Sequence, residues 1–320
     1  HRGRLSGFSI ERLAPEARAY LERSGALQAT PIERLRHMNP PAVAVYADHG
    51  VDIGREPLEI AVCAQHNNGG LRGNTWWESS VRGLFPVGEV NGTHGVTRPG
   101  GSALNSGQVG SFRAAEYIFA RRGGKPPADD EFREEAEVQI AETIELARRM
   151  VDPRAGGTAG IDRPLAELRA RMSRAGGPVR DPKTIGEEAE SAWALLDFLR
   201  KNARVGTVAE LPAAFKALDL ALTHAVYLEA IREYLARGGA SRGSYLVLDP
   251  AGEKPCPQLD DRWRFKLEPR EAFTRAKILE IAYAGPGQTR KAWVDVRSVP
   301  EDDAWFESVW DDFRNGRTIG

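Results

Sequence analysis

The sequence predicts a mostly helical α+β protein, on three observations. Residues 128–240 contain long stretches in which apolar residues recur at helical spacing. Residues 241–320 contain short segments in which apolar and polar residues alternate, as in strands. Residues 57–122 combine a short apolar run, a glycine-rich turn and the start of a helix. We therefore expect a glycine-rich segment, then a helical domain, then a small strand-rich region.

Composition and charge argue against several classes of protein. The chain has 44 Lys and Arg against 45 Asp and Glu, a formal net charge of −1, so it lacks the basic excess of a nucleic-acid-binding protein. Its two cysteines, Cys63 and Cys256, are far apart and lack C-x-x-C spacing, which disfavours a disulfide or a zinc site. We predict no metal site. We also see no signal peptide and no apolar run near ~20 residues, so we predict no membrane span.

The first 56 residues are polar and predict short helices. Thr30 followed by Pro31 is typical of an N-cap and the first helical position. Asn39 followed by Pro40 repeats the pattern and predicts the start of a second helix.

The glycine-rich segment follows. Residues 83–87 form an apolar run that predicts a short strand, and Glu89 comes soon after it. A glycine-rich turn then leads to a helix that we predict from Ser102 to Arg122. A strand end, a glycine turn and a helix start together point backbone N–H groups at one place. This corner therefore predicts a site for an anionic or carbonyl-bearing ligand.

The helical domain is predicted from four stretches joined by short connections, which favours antiparallel packing. The first stretch, residues 129–150, is acidic at its start and basic at its end, as the helix dipole favours. The predicted strands of the last region are 244–249, 262–268, 277–284 and 291–299, followed by a helix over 301–313.

Three motifs in the glycine-rich segment carry a family resemblance. They are HNNGG from His66, GLFPVGE from Gly83 and HGVTRPGGSAL from His94. In this order they resemble the flavoprotein subunit of fumarate reductase and succinate dehydrogenase, together with L-aspartate oxidase, whose usual text is close to HYTMGG, GLFAAGE and HGANRLGGNSL. The later stretch LEAIREYLARGGASRGSY resembles the family's helix that ends in ESRG.

The resemblance implies a domain plan. Residues 1–56 would end the capping domain, 57–125 would be the second segment of the FAD-binding domain, 126–240 the helical domain, and 241–320 a C-terminal α+β region. The expected fold is thus the remnant of an FAD-binding α/β domain, an antiparallel helical domain and a small β-rich region.

The family's FAD-binding fingerprint is missing from the sequence. Such flavoproteins hold the FAD pyrophosphate at a G-x-G-x-x-G turn after a first strand, and the nearest spacing, Gly285 to Gly287, lacks the third glycine. We expect the chain to be the C-terminal part of a longer flavoprotein. The alternative is that a separate polypeptide supplies the FAD half.

The resemblance also implies residues that meet the substrate. Arg98 matches the arginine of the family's HG-x-x-R motif, and a guanidinium holds a carboxylate through two parallel hydrogen bonds. His66 matches the histidine of the first motif, although one residue fewer precedes the glycines. We assign His66 and Arg98 as catalytic residues that orient a substrate carboxylate, with His94 beside them in substrate binding.

The cofactor implied by the resemblance is FAD. Glu89 matches the family's acid that hydrogen-bonds the flavin side of the cofactor. The start of the following helix matches the family's flavin-facing turn, where backbone N–H groups stabilise negative charge on the reduced ring. The residues concerned are Gly100, Gly101, Ser102 and Leu104.

The expected function is therefore that of an FAD-dependent oxidoreductase that moves a hydride between flavin and a small carboxylate-bearing substrate. Trp76, Trp77 and Pro99 depart from the family text, and the aromatic pair suggests a larger or more apolar ligand. In the family a proton-donating arginine precedes the histidine motif in an R-D context, and no R-D occurs before His66 in this sequence. The alternative is a non-catalytic assembly subunit derived from the same family.

The expected partners are the small substrate, the missing FAD half and an electron-transfer subunit, and no nucleic acid. The resemblance implies a cytoplasmic protein, with attachment to the inner face of the membrane through partner subunits left open.

The missing fingerprint yields a first prediction. The isolated 320-residue chain should bind FAD weakly or not at all, since the turn that holds the pyrophosphate is absent. Visible absorbance of the purified chain tests this, and a flavin band at one FAD per chain would contradict it.

Overall fold

The computed structural model describes residues 9–58, 69–94, 101–121, 128–243, 245–269, 271–298, 301 and 303–317. The chain divides into two compact units, residues 1–62 and 63–320.

The first unit is built from short helices, and the second and third of them start at the predicted capping signals. They are α1 (Pro15–Arg23), α2 (Pro31–Met38) and α3 (Pro40–Asp48). The Thr30 hydroxyl accepts from the Glu33 N–H at 3.3 Å, and the Glu33 carboxylate accepts from the Thr30 N–H at 3.0 Å, which makes a capping box. The Asn39 side chain caps α3 through the Ala42 N–H at 3.4 Å. Both predicted N-caps are confirmed.

The second unit contains the remaining helices and strands. In chain order they are α4 (Ser102–Arg121), α5 (Asp129–Met150), α6 (Ala159–Ala175), β1 (Val179–Arg180), α7 (Ile185–Asn202), α8 (Leu211–Ala236), β2 (Leu246–Glu253), α9 (Phe273–Ala276), β3 (Lys277–Gly285), β4 (Gln288–Asp295) and α10 (Trp305–Arg314). The bounds of α5 are those predicted from its charge pattern. α10 begins four residues later than predicted.

The core of the second unit lies between α6, α7 and α8. One apolar cluster joins Leu199, near the end of α7, to Ala214 and Ala217, near the start of α8. A second cluster joins Ile185, at the start of α7, to Ile231, near the end of α8. The two helices therefore run antiparallel, as predicted.

A polar cluster lies within this helical bundle. The Arg171 guanidinium of α6 contacts Glu188 of α7 at 3.2 Å and Glu167 at 2.5 Å, and Arg174 contacts Glu188 at 2.9 Å. His224 of α8 is 2% exposed, and neither ring nitrogen has a hydrogen-bond partner among the described residues. Burial, reinforced by the charge of Arg171, lowers the pKa of His224 to about 4.

The strands form two small sheets. β1 and β2 pair in parallel, with Val179 opposite Leu246. β3 and β4 form an antiparallel hairpin whose turn contains Gly285 and Gly287, both at positive φ. The G-x-G spacing noted in the sequence is therefore a hairpin turn.

One predicted strand is not formed as such. Residues 262–268 make only isolated bridges, in which Phe265 lies opposite both Leu248 and Glu253 of β2. The alternating pattern is present, but β2 offers pairing at separate points rather than along a continuous ladder.

Buried carboxylates attach the C-terminal region to the helical bundle. Glu229 of α8 accepts from Lys291 Nζ of β4 at 2.8 Å, and Trp293 Nε1 donates to Glu233 at 3.1 Å. The hairpin is thereby fixed along α8 by charge as well as by packing.

The Ser241-Arg242-Gly243 motif has a structural place here. Arg242 Nη1 donates to the Thr274 carbonyl at 2.8 Å, and its Nε lies 3.6 Å from the buried carboxylate of Glu268. The Ser241 hydroxyl accepts from the Val247 N–H at 2.8 Å. These contacts fold the segment after α8 against β2 and α9.

The buried histidine yields a stability prediction. His224 has a pKa of about 4 in the folded chain against 6.5 ordinarily, so as the pH falls the unfolded chain takes up the proton first. Stability should fall between about pH 6.5 and pH 4, by up to about 3 kcal/mol. His224→Leu should flatten this part of the profile in urea unfolding, and an unchanged slope would contradict the assignment.

Candidate functional site

The glycine-rich corner is held together by two stretches of backbone in direct contact. The Leu71 N–H donates to the Val90 carbonyl at 2.7 Å, and the buried Asn91 side chain donates back to the Leu71 carbonyl at 3.0 Å. A Cβ built on Gly70 would lie 2.2 Å from the Val90 oxygen, and one on Gly92 would lie 2.2 Å from the Gly69 carbonyl carbon. Only glycine permits this approach at both positions.

Glu89 lies on the turn that this contact fixes. A short 3₁₀ helix spans Gly88–Asn91 and ends at Gly92, which has φ +72°, and the Gly92 N–H donates to the Glu89 carbonyl at 2.9 Å. The Glu89 side chain is exposed. Its carboxylate is thus presented from a turn whose backbone is held at both ends.

The Glu89 turn packs against α4. A Cβ built on Gly107 would lie 3.6 Å from Cα of Gly88, which is ordinary van der Waals contact. The turn and the helix therefore lie close together at these two residues. This approach places Glu89 beside the first two turns of α4.

The start of α4 has no side chain at Gly101. This residue has φ +80°, and a Cβ placed there would meet none of the described residues within 4 Å. Ser102 begins the helix, and Leu104 is 74% exposed. The first turn of a helix has N–H groups that the helix itself does not satisfy, so a planar, electron-rich group could lie against this end.

Trp76 and Trp77 pack on the same helix. The Trp76 ring stacks on Tyr117 at a centroid distance of 5.4 Å, and the Arg113 guanidinium lies 4.4 Å from the Trp76 centroid. The Trp77 ring lies against Gly110, where a Cβ would come within 2.7 to 3.0 Å of three indole atoms. Packing against α4 accounts for both side chains without the larger ligand that the sequence suggested.

The predicted site residues divide into two groups. The structure brings Glu89 and the α4 start, Gly101 to Leu104, to one corner, and His94, which is half-buried, follows the Glu89 turn. His66, Arg98 and Gly100 lie outside the described residues.

The expected strand at residues 83–87 is not formed. The described residues 84–87 are neither helix nor strand, although Val87 has extended backbone angles, φ −104° and ψ 155°. The apolar run has the composition of a strand, but a strand also needs a hydrogen-bonded neighbour, and the described part of the chain supplies none for it.

Asn91 and Gly110 are site residues that the sequence did not predict. Asn91 is 8% exposed and joins the two crossing backbones, while Gly110 receives the Trp77 ring. The available signals were a polar residue next to a glycine for Asn91, and a G-x-x-G spacing from Gly107 within a helix for Gly110. Neither signal says what lies opposite.

Comparisons with known proteins bear on the whole chain. L-aspartate oxidase of Rhodospirillum rubrum is 30% identical over 217 residues, which is 66% of this chain and 67% of that protein. The chain belongs to the fumarate reductase, succinate dehydrogenase and L-aspartate oxidase flavoprotein family. A chain of the CoM/CoB fumarate reductase of Methanothermobacter marburgensis is 46% identical over 70 residues, which is 22% of this chain and 13% of that one. No protein-family model matches the chain.

Solved structures show the same fold. A variant of E. coli quinol fumarate reductase superposes with a TM-score of 0.60 at 21% identity, over 90% of this chain and 49% of that one. The Sdh1 complex of Mycobacterium smegmatis in its apo form gives a TM-score of 0.57 at 19% identity, over 88% of this chain and 47% of that one. The chain thus spans about half the length of these structural relatives.

Within the described ranges, no group of histidine, cysteine and carboxylate side chains is arranged to hold a metal ion. None of the helices that the structure describes has the length and apolarity required to cross a bilayer.

The backbone crossing yields a matched pair of variants. Gly70→Ala places a Cβ 2.2 Å from the Val90 oxygen and should destabilise the corner by about 1–3 kcal/mol. Gly69→Ala places its Cβ where nothing lies within 4 Å and should be nearly neutral. Urea unfolding measures the free energy of unfolding, and limited proteolysis within residues 69–92 measures local opening. Equal stability of the two variants would contradict the close backbone contact between residues 69–71 and 90–92.

Proposed function

We propose that this chain is the substrate-facing part of an FAD-dependent oxidoreductase that transfers a hydride between flavin and a small carboxylate-bearing substrate. The observation that carries the proposal is the close packing of the Glu89 turn on α4 through Gly88 and Gly107. It places an exposed carboxylate beside a helix N-terminus, and family membership supplies the cofactor class.

The residues at this corner fit FAD. The Glu89 carboxylate can accept hydrogen bonds from the ribose or ribityl hydroxyls, which are donors. A flat ring could approach the backbone at Gly101, where an added Cβ would meet none of the described residues within 4 Å. A helix N-terminus carries partial positive charge, so the start of α4 would favour an electron-rich ring edge. When bound, the flavin supplies the hydride chemistry.

Substrate binding is assigned to residues from the sequence. Arg98 would hold a substrate carboxylate through two parallel hydrogen bonds, and His66 would contact the same carboxylate or a neighbouring carbonyl. His94 would line the substrate side. Position supports this assignment, because Arg98 lies in the segment between the Glu89 turn and the start of α4.

Partner chains belong to the same proposal. The M. smegmatis structural relative is a complex, and the chain spans about half the length of such relatives. We assign the FAD pyrophosphate to protein outside these 320 residues, and electron exchange to a separate subunit.

The assignment of Arg98 yields a prediction for the full-length enzyme. Arg98→Ala should lower kcat/KM for a carboxylate substrate by about 10²-fold or more, or ~3 kcal/mol, since two charge-assisted hydrogen bonds are lost. Arg98→Lys should lose less, since it keeps the charge without the forked geometry. Steady-state kinetics with flavin content measured in parallel gives the comparison.

A matched control is Arg154→Ala. The Arg154 side chain is 90% exposed and paired with Asp152 at 3.1 Å, so its removal should leave turnover unchanged. Unchanged turnover in Arg98→Ala, with flavin retained, would sink the substrate assignment and favour the alternative, a non-catalytic assembly subunit.

A further inference from the structure

Trp77 has an unusual backbone conformation. Of the non-glycine residues that the structure describes, it is the one at positive φ, +62°. This left-handed region is disfavoured for a bulky aromatic residue. Such strain persists when surrounding contacts determine the conformation, and it is concentrated near functional sites.

The contacts that hold Trp77 come from both directions. In its own turn, the Asn74 side chain accepts from the N–H groups of Trp76 at 2.8 Å and Glu78 at 3.0 Å, and the Trp77 N–H donates to the Asn74 carbonyl at 3.0 Å. Across the corner, the indole rests on the bare backbone of α4 at Gly110.

The turn at residues 74–78, which contains Trp76 and Trp77, packs against the same face of α4 as the Glu89 turn. Gly107 meets the Glu89 turn, Gly110 meets Trp77, and Tyr117 stacks on Trp76. Gly107 and Gly110 are three residues apart, and Gly110 and Tyr117 are seven apart, so all three lie on one side of the helix. Because a helix moves as a unit, a shift at Gly110 also shifts the α4 start relative to Glu89.

We propose that Trp77 is a positioning residue of the flavin site, which sets the distance between the Glu89 turn and the N-terminus of α4 through its contact with Gly110. The inference rests on the proposed function. In this proposal Trp77 acts through the helix, and its strained backbone follows from the need to aim the indole at Gly110.

The test uses the full-length holoprotein and four variants, three single and one double. Gly110→Ala forces the indole to move, and Trp77→Gly removes the ring while keeping a residue that accepts positive φ, so this variant should fold. Gly186→Ala is the matched control. Gly186, like Gly110, is a helical glycine, but its added Cβ would meet nothing among the described residues within 4 Å. FAD dissociation constants and flavin midpoint potentials are measured for each.

Each single site variant should weaken FAD binding by at least about tenfold, or ~1.4 kcal/mol. Each should also lower the midpoint potential, because misplaced N–H groups stabilise the reduced ring less. The double variant Trp77→Gly with Gly110→Ala should match Trp77→Gly alone, because the steric conflict has been removed. Gly186→Ala should match the wild type.

The positioning role would be overturned if both single variants kept the wild-type FAD affinity and midpoint potential, or if the effects of the two substitutions added in the double variant. Either result would leave the proposed function standing. A full-length wild type that binds no flavin would overturn the proposed function, and the inference with it.

Discussion

The direct contact of backbone with backbone is the constraint on which this site depends. Residues 69–71 and 90–92 approach each other so closely that a Cβ at Gly70 or Gly92 would overlap main-chain atoms. Gly88 and Gly107 also lie close together, but a Cβ on Gly107 would be in ordinary van der Waals contact with Gly88. Gly70 and Gly92 are therefore the positions at which a side chain would force the two segments apart. The contact between Gly88 and Gly107 places the Glu89 turn beside α4.

The aromatic pair shows how a departure from family text can have a structural cause. Trp76 and Trp77 are large where the family is small, which suggests at first a different ligand. Their rings instead lie on Tyr117 and Gly110 of α4, and the Arg113 guanidinium lies over the Trp76 ring. The bulk is used in packing, so a small carboxylate substrate remains compatible with this corner.

Buried charge has a corresponding role away from the site. Glu229 and Glu268 are largely buried carboxylates, and each is met by cations from another segment, Lys291 in one case and Arg242 in the other. A buried carboxylate without its partner is costly. These pairs therefore determine where the hairpin and the segment after α8 can dock, while the apolar clusters of α6, α7 and α8 provide most of the burial.

The comparison of prediction with structure separates local from non-local information. The start of α2 at Pro31 and the bounds of α5 were predictable, because capping side chains and dipole-matched charges act within a few residues. The strand expected at 83–87 and the continuous strand expected at 262–268 were wrong, because a strand also requires a partner elsewhere in the chain. Neither apolar content nor alternation specifies that partner.

By itself the sequence determined the family, through motifs read in order, the helical nature of the middle of the chain, and Glu89 and the α4 start as candidates for one corner. The roles of His66 and Arg98 stay predictions from those motifs. Only the tertiary structure showed that a side chain at Gly70, Gly92 or Gly110 would clash with a neighbouring segment. The reason is that a motif records residue types along the chain, whereas a close approach depends on which distant segment lies opposite.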